Sequence, residues 1–469
     1  MDTERKRMKK ILAFDLGSSS GRAIEGKYAD GKLQYKERHR FKNVPIWHNG
    51  HLCWDFEKIM KEIYLGIEKA GEIDSIGIDA WGADFGVLDQ NGDLLSLPVH
   101  YRDLRTEGMI NEAQERITGK RLFQLSGNQT YATNTLYQIL ALRKTEPEIW
   151  NQTRKLLHIP DLVSYLLCRN AVCERTIAST TQMLDPDSGM WGQEILDEFQ
   201  IPRQIFGTMT DTGTIIGEYK GVKVIAVAGH DTQSAGAAMT EDVGTTAFLN
   251  IGTWSLLGIE NEKAILSDEG YKLGISNEQG PYGGIHCIMN ITGMWLLQEC
   301  RRTWEEEGIL YSYDELEKLA EQAESFGIFL DLNMADFAQP GNMPEKIRTF
   351  CRRTGQRIPE TVGEIVRCIY ESLASTYSKE LKKLEQGSGR RIEKLQILGG
   401  GARSEMLCQM TADYCGRPVT AGPVEATALG NLIIQLKALG EIADASDARR
   451  ILQNGESFRY YVPQRKQRE

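Results

Sequence analysis

The 469-residue chain has no long apolar run near its start: the basic stretch from Arg5 to Lys10 meets only Ile11 to Phe14 before Asp15 interrupts it. Such a run is too short for the apolar region of a secretory signal and cannot span a bilayer. Excess positive charge is also missing. With 55 basic against 65 acidic residues the net charge is −10, so the chain carries no electrostatic footprint for nucleic acid, and any phosphate site has to be built locally. The nine cysteines show no metal-ligand spacing, and an odd number cannot all pair within one chain. Reduced thiols in the cytoplasm are expected. Cys351 and Cys368 flank a short segment, but sequence separation does not fix a Cα distance, and their pairing stays open. Three motifs are absent as well: the Gly-x-x-x-x-Gly-Lys-Ser/Thr phosphate loop, the dinucleotide fingerprint, and the Gly-x-Ser-x-Gly elbow of serine hydrolases.

What is present is an ordinary globular composition, 41% hydrophobic and 26% charged, in a chain long enough for two or three domains with full cores. Stability therefore needs neither disulfides nor metal. Short, mostly apolar runs at Lys10 to Phe14, Ser75 to Asp79, Val222 to Val227, Ala247 to Ile251 and Leu395 to Leu398 are each closely followed by Gly, Asp or Ser. They read as buried strands ending in polar loops. Alternation with helix-like segments then gives an α/β architecture. Val362, Ile365, Ile369, Leu373, Tyr377, Leu381 and Leu384, spaced three and four apart, predict a long helix ended by Gly387-Ser388-Gly389. Beyond it come a strand, the glycines 399 to 401 and a helix over Ser404 to Tyr414, the order used to hold nucleotides.

One internal echo organises the chain. Ala13-Phe-Asp-Leu-Gly-Ser-Ser-Ser20 is matched half a chain later by Phe248-Leu-Asn-Ile-Gly-Thr-Trp-Ser255. A duplicated lobe with its boundary near Thr240 to Gly244 is the economical reading. The segment Asp15-Leu-Gly-Ser-Ser-Ser-Gly-Arg22 puts a flexible, hydroxyl-rich turn after a strand. Its N–H groups and hydroxyls suit phosphate oxygens, and Asp15 suits Mg²⁺ held through water. A plain β-hairpin turn accounts for the same residues. Gly229-His-Asp-Thr232 follows an apolar run, so Asp231 is placed either to accept a hydroxyl proton during phosphoryl transfer or to cap a helix. His230, with no nucleophile signature around it, is a substrate-contacting neighbour at most.

Together these segments resemble the FGGY family of carbohydrate kinases from Ile11 to about Leu436. The likeness also rests on Ile78-Asp-Ala-Trp-Gly-Ala-Asp-Phe-Gly-Val-Leu-Asp89, Tyr101-Arg-Asp103, Asn134-Thr-Leu-Tyr-Gln138, Ala178-Ser-Thr-Thr-Gln182 and Asn290 through Gln298. The resemblance implies two ribonuclease-H-like, actin-like ATPase lobes with an interlobe cleft. Residues 1–241 would form the sugar-binding lobe with the first phosphate loop, and residues 242–469 the nucleotide-binding lobe. It further implies Asp231 as catalytic base and Gly82, His230, Asp231 and Thr232 against the sugar. Ser18, Ser19, Ser20, Gly21, Arg22, Thr253, Asn290, Gln298 and Gly400 would meet ATP, the co-substrate, with Mg²⁺ at Asp15. Where the family signature usually carries lysine, this chain has Asn134-Thr-Leu-Tyr137. That departure fits the branch acting on L-rhamnulose, implying transfer to O1 in the breakdown of L-rhamnose. Glu425-Ala-Thr-Ala-Leu-Gly430 resembles a small-residue helix near the adenine, and a close-packed core helix reads the same way. Alternatives are a kinase for L-fuculose, xylulose or glycerol, and an actin-like ATPase indifferent to sugars. The expected partners are sugar and ATP, with no nucleic acid and no membrane.

Overall fold

The computed structural model describes residues 7–325, 327 and 329–464, so Arg5 and Lys6 of the basic start lie outside the described residues. The chain divides into two compact units. One holds the chain up to Thr240 together with Glu260–Cys287 and Ala426–Glu456, and the other holds Glu241–Ile259, Ile288–Glu425 and the segment from Ser457 onward. Among the described residues no helix is long and apolar enough to cross a membrane.

The first unit is built on a six-stranded sheet of β1 (Lys9–Leu16), β2 (Ser20–Ala29), β3 (Lys32–Lys42), β4 (Ser75–Ala80), β5 (Thr214–Tyr219) and β6 (Val222–Ala226). Their order is β5-β6-β4-β1-β2-β3. β1 runs antiparallel to β2 and parallel to β4, and β4 is parallel to β6. Ile11 to Phe14, Ile76 and Ile78 are buried to 2% exposure or less, which is why these runs read as continuous apolar strands rather than alternating ones. Beyond β6, Asp231–Ala237 forms the short helix α1.

The second unit repeats this pairing scheme. β7 (Thr246–Ile251) is antiparallel to β8 (Trp254–Asn261). The helix predicted from periodicity is α2 (Val362–Ser388); Thr361 and Glu364 close a capping box at its start, and Gly389 at φ 66° ends it. β9 (Lys394–Leu398) pairs parallel with β7. Helix α3 (Glu405–Cys415), capped by Ser404, leads to β10 (Val419–Ala421), which pairs parallel with β9. Antiparallel partner, parallel partner and second parallel partner thus recur around β1 and around β7, the two strands that carry the sequence echo. In this unit Cys351 and Cys368 are buried thiols in hydrogen-bond contact. All nine cysteines are free.

The chain then returns to the first unit as helix α4 (Ala426–Ala438), which lies against α1, β1 and β4. Two glycines permit the approach. A Cβ on Gly430 would fall 1.7 Å from the Ser234 carbonyl oxygen of α1, and one on Gly77 of β4 would fall 2.5 Å from Asn431 Oδ1. The small residues of this segment therefore serve close packing.

Candidate active site

Three carboxylates gather where parallel strands of the first sheet end. Asp15 of β1 is the register partner of Asp79 of β4. Ala80 of β4 bridges to His230, and its N–H donates to the Gly229 carbonyl, so Asp231 follows at the same edge. Arg22, at the start of β2, pairs with Asp15. Asp79 is fully buried; Asn431 of α4 donates to its Oδ2 at 2.6 Å. Its Oδ1, equally buried, has no hydrogen-bond partner among the described residues. Burial, reinforced by the neighbouring Asp15 charge, pushes the Asp79 carboxyl well above the ordinary range. Asn431 is itself held by Gln435, which also donates to the Leu12 carbonyl and accepts from Ser75. One face of α4 therefore fixes the ends of β1 and β4.

The turn Gly17 to Ser20 is a hairpin between β1 and β2: the Gly17 N–H donates to the Ser20 carbonyl at 2.9 Å, and Asn43 braces the turn through both Gly17 and Ser19. Ser19 at its tip is exposed. The hairpin turn that these residues also allowed is therefore what they form.

Asp231 is the first residue of α1, not its N-cap. That position belongs to His230, whose side chain makes no capping bond. The capping role that the Gly-His-Asp-Thr segment also allowed is therefore not what Asp231 does. Its side chain keeps 32% exposure, and Thr232 donates to its Oδ1 at 3.3 Å. Despite that exposure, partial desolvation at the crowded strand ends raises its carboxyl above the ordinary range; the His230 charge opposes that rise and Asp15 adds to it. His230 places Nε2 3.5 Å from Asp231 Oδ1 and Nδ1 2.8 Å from Glu278 Oε2. Burial alone would keep this imidazole neutral, but the Glu278 carboxylate outweighs it and pushes the pKa up to about 9.

Gly82 lies in a strained segment fixed on several sides. Ala83 holds φ at 74°, a left-handed value that costs a residue with a Cβ energy and persists only where its surroundings over-determine it. Here Thr135 donates to the Ala83 carbonyl at 2.7 Å. Asp84 next to it accepts from Trp54 Nε1 at 2.7 Å, Trp81 Nε1 at 3.0 Å, Gln138 Nε2 at 2.8 Å and the Tyr101 N–H at 3.1 Å. Burial outweighs these donors and lifts Asp84 to about 6. The Asn134 amide reaches Gln182, and Thr180 lies 3.3 Å from where a Gly82 Cβ would sit. Segments far apart in sequence thus converge behind Gly82. Phe85, by contrast, points into a separate core with Leu136 and Tyr137.

In the second unit, the Thr253 hydroxyl donates to Gln298 Oε1 at 3.1 Å, and the Gly293 N–H donates to the Thr253 carbonyl. A Cβ on Gly293 would fall 2.6–2.7 Å from the backbone of residues 252 and 254 and from Ser255, so the turn at Thr253 packs tightly on the segment that carries Asn290. Asn290 is half-buried on its strand. Gly400 is exposed in the turn Gly400–Arg403, with no described atom within 4 Å of where a Cβ would sit.

Residues 10–248 match the N-terminal domain of the FGGY family of carbohydrate kinases and residues 247–439 its C-terminal domain. The chain belongs to this family. It is 39% identical to a protein of Enterococcus faecalis named rhamnulokinase, over 97% of this chain and 94% of that one. It is 36% identical to the rhamnulokinase of Bacillus subtilis, over 96% and 95%. A ligand-bound xylulose kinase of Lactobacillus acidophilus superposes with a TM-score of 0.79 at 17% identity, covering 97% of this chain and 94% of that one. Glycerol kinase of Plasmodium falciparum with ADP gives 0.78 at 17%, with the same coverage. These likenesses establish the actin-like ATPase fold of the FGGY kinases for this chain.

Three acidic residues of this FGGY kinase escaped the sequence reading of the site. Asp79 ends an apolar strand just as Asp15 does, and that shared position was the signal that could have found it. Glu278 had none, because its strand, Ser276–Gln279, is buried at every residue without one apolar side chain. Glu174 accepts at Oε2 from the N–H groups of Gly229, Thr176 and Ile177, which fixes the turn before His230. Behind Glu174, ligand-capable atoms of His158, Asp161 and Cys173 lie within 4.8 Å of one another, all buried. Burial holds His158 down to about 4 and Asp161 well up, and Asp161 accepts from the Glu174 N–H at 3.2 Å. The cluster thus adjoins the residue that fixes the turn before His230.

Proposed function

We propose that this FGGY kinase transfers the γ-phosphoryl group of ATP to O1 of L-rhamnulose, giving L-rhamnulose 1-phosphate and ADP. The observation that carries the sugar assignment is identity of 36–39% across 96–97% of the chain to proteins named rhamnulokinase. The chemistry rests on Asp231. Its carboxylate accepts the O1 proton as the bond from O1 to the γ-phosphorus forms. The bond from that phosphorus to the β–γ bridging oxygen breaks, and ADP leaves with the electron pair. Gly82, His230 and Thr232 contact the sugar. Ser18, Ser19, Ser20, Gly21 and Arg22 take phosphate oxygens, while Thr253, Asn290, Gln298 and Gly400 contribute further nucleotide contacts. Nine free cysteines, none of them fully exposed, suit the reducing cytoplasm as the working compartment.

A divalent metal accompanies ATP in this reaction class, and the donor set fits a hard cation: Asp15 is a carboxylate at a strand end, and the partnerless Asp79 Oδ1 lies beside it. We take the ion to be Mg²⁺, held by Asp15 through water. When bound, it neutralises charge on the phosphates. Asp15→Ala is expected to lower kcat by about 10–100-fold at ordinary Mg²⁺ with an unchanged melting profile. Full activity together with normal ATP binding by calorimetry removes Asp15 from this role.

The sugar assignment is tested by kcat/KM for L-rhamnulose, L-fuculose, L-xylulose, D-xylulose and glycerol under one Mg·ATP condition. L-Rhamnulose is expected to lead. The margin over a ketose lacking only the methyl is about 10–200-fold, since one methyl in an apolar pocket is worth about 1–3 kcal/mol. Preference for any other compound overturns the sugar and leaves the kinase standing. ADP release without any sugar favours the plain ATPase.

A further inference from the structure

Glu278 meets two side chains through a single oxygen. His230 Nδ1 lies 2.8 Å from Oε2, and Gln233 Nε2 donates to the same Oε2 at 2.8 Å. His230 and Gln233 stand one turn apart at the start of α1, on either side of Asp231. Glu278 reaches them from a strand more than forty residues later in sequence, within the same unit. The residue is buried to 7% exposure and His230 to 8%. A carboxylate so placed needs a specific reason, because an unpaired buried charge is costly. Its partner also meets a second carboxylate: the opposite ring nitrogen lies 3.5 Å from Asp231 Oδ1.

We propose that Glu278 is a positioning residue for phosphoryl transfer: it clamps His230 through Nδ1 and so holds the opposite ring nitrogen, Nε2, against the Asp231 carboxylate and the incoming sugar hydroxyl. The inference rests on Asp231 being the base. It gives His230 a role beyond sugar contact. Partial desolvation and the Asp15 charge push the Asp231 carboxyl toward the protonated form, which cannot accept a proton, and the imidazolium opposes that push. Glu278, itself held below the ordinary carboxylate range against burial by the His230 charge and hydrogen bond, maintains that imidazolium. The other titratable groups facing the pair are Glu174, which adds to the retention of the His230 proton; Asp15 and Asp79, whose carboxylates interact with that of Asp231; and His286, on the Glu278 side. His286 is paired in turn with Glu260 at 3.4 Å.

The sign of the pH effect follows. Asp231 works deprotonated, so activity falls as pH drops through its pKa; His230 works protonated, so activity falls as pH rises past about 9. Glu278→Gln keeps an oxygen able to accept from Nδ1–H but removes the charge. In that variant the acidic limb of kcat/KM is expected to move up and the alkaline limb down, each by about one pH unit, with kcat reduced more than KM is raised. The measurement is the pH–rate profile of the full-length enzyme with Mg·ATP, alongside Asp231→Asn and a thermal melt. A uniform loss of rate with both limbs unmoved makes Glu278 merely structural and overturns the inference. Full activity in Asp231→Asn removes the base beneath it instead, a separable outcome. Should Glu278→Gln not fold, ¹⁵N-histidine NMR of the wild type decides, with His230 assigned through His230→Gln. Titration near 9 supports the clamp, and titration at or below the ordinary histidine value overturns it.

Discussion

Asp231→Asn is expected to fold, to bind sugar and ATP, and to lose about 10²–10⁴-fold in kcat. Asparagine nearly preserves shape at the first position of α1 and keeps an oxygen to accept from Thr232, so the packing of the helix does not change. What disappears is the ability to take the hydroxyl proton as O1 attacks. The loss is expected in kcat with KM near its original value, because the interaction matters most in the transition state. Stopped-time assays of ADP formation, with sugar binding followed separately by calorimetry, check both halves. Near-normal turnover removes Asp231 from the mechanism.

Gly430→Ala should have the largest effect on stability of any single methyl addition in the first unit. The new carbon would stand 1.7 Å from the Ser234 carbonyl oxygen and 3.2 Å from Ala237. Both are on α1, and the oxygen is backbone, so relief requires moving one helix against the other. A loss of about 3 kcal/mol or more is expected, the upper end for overpacked cores, measured by denaturant unfolding. Activity should fall as well, because displaced α1 carries Asp231. Gly440→Ala, in the loop after α4 where nothing lies within 4 Å but φ is 74°, should cost far less and leave kcat alone. Equal effects from the two substitutions contradict the packing account.

The elements legible in the sequence share one property: their burial is made by apolar side chains. β1, β4, β6, β7 and β9 all appear as apolar runs, and six of the seven periodic positions of α2 are buried, Val362 being half-exposed at its first turn. β2 and β3 were not legible, because their pairing includes Glu25, 2% exposed, satisfied by Arg38 from the neighbouring strand. A buried charge with a partner looks like a surface residue until the partner is known. The site divides in the same way. Asp15 ends one apolar strand and Asp231 follows shortly after another, so both could be singled out. Glu278, Asn431 and the Gly229 contact of Glu174 join residues between roughly 45 and 350 positions apart, and no local pattern encodes such a contact.

Helix α4 also sets an order of events during synthesis. Asn431 and Gln435 tie Asp79, Ser75 and the Leu12 carbonyl across 352 to 423 residues of chain, and Gly430 gives α1 its seat. A ribosome that has released everything through Glu425 has therefore made every carboxylate of the site and still lacks the helix that aligns their strands. Contacts of such sequence separation form late and slowly. The nascent chain consequently carries Asp15, Asp79 and Asp231 unaligned for about two hundred residues of elongation beyond Asp231, and gains a competent site only once α4 has been made.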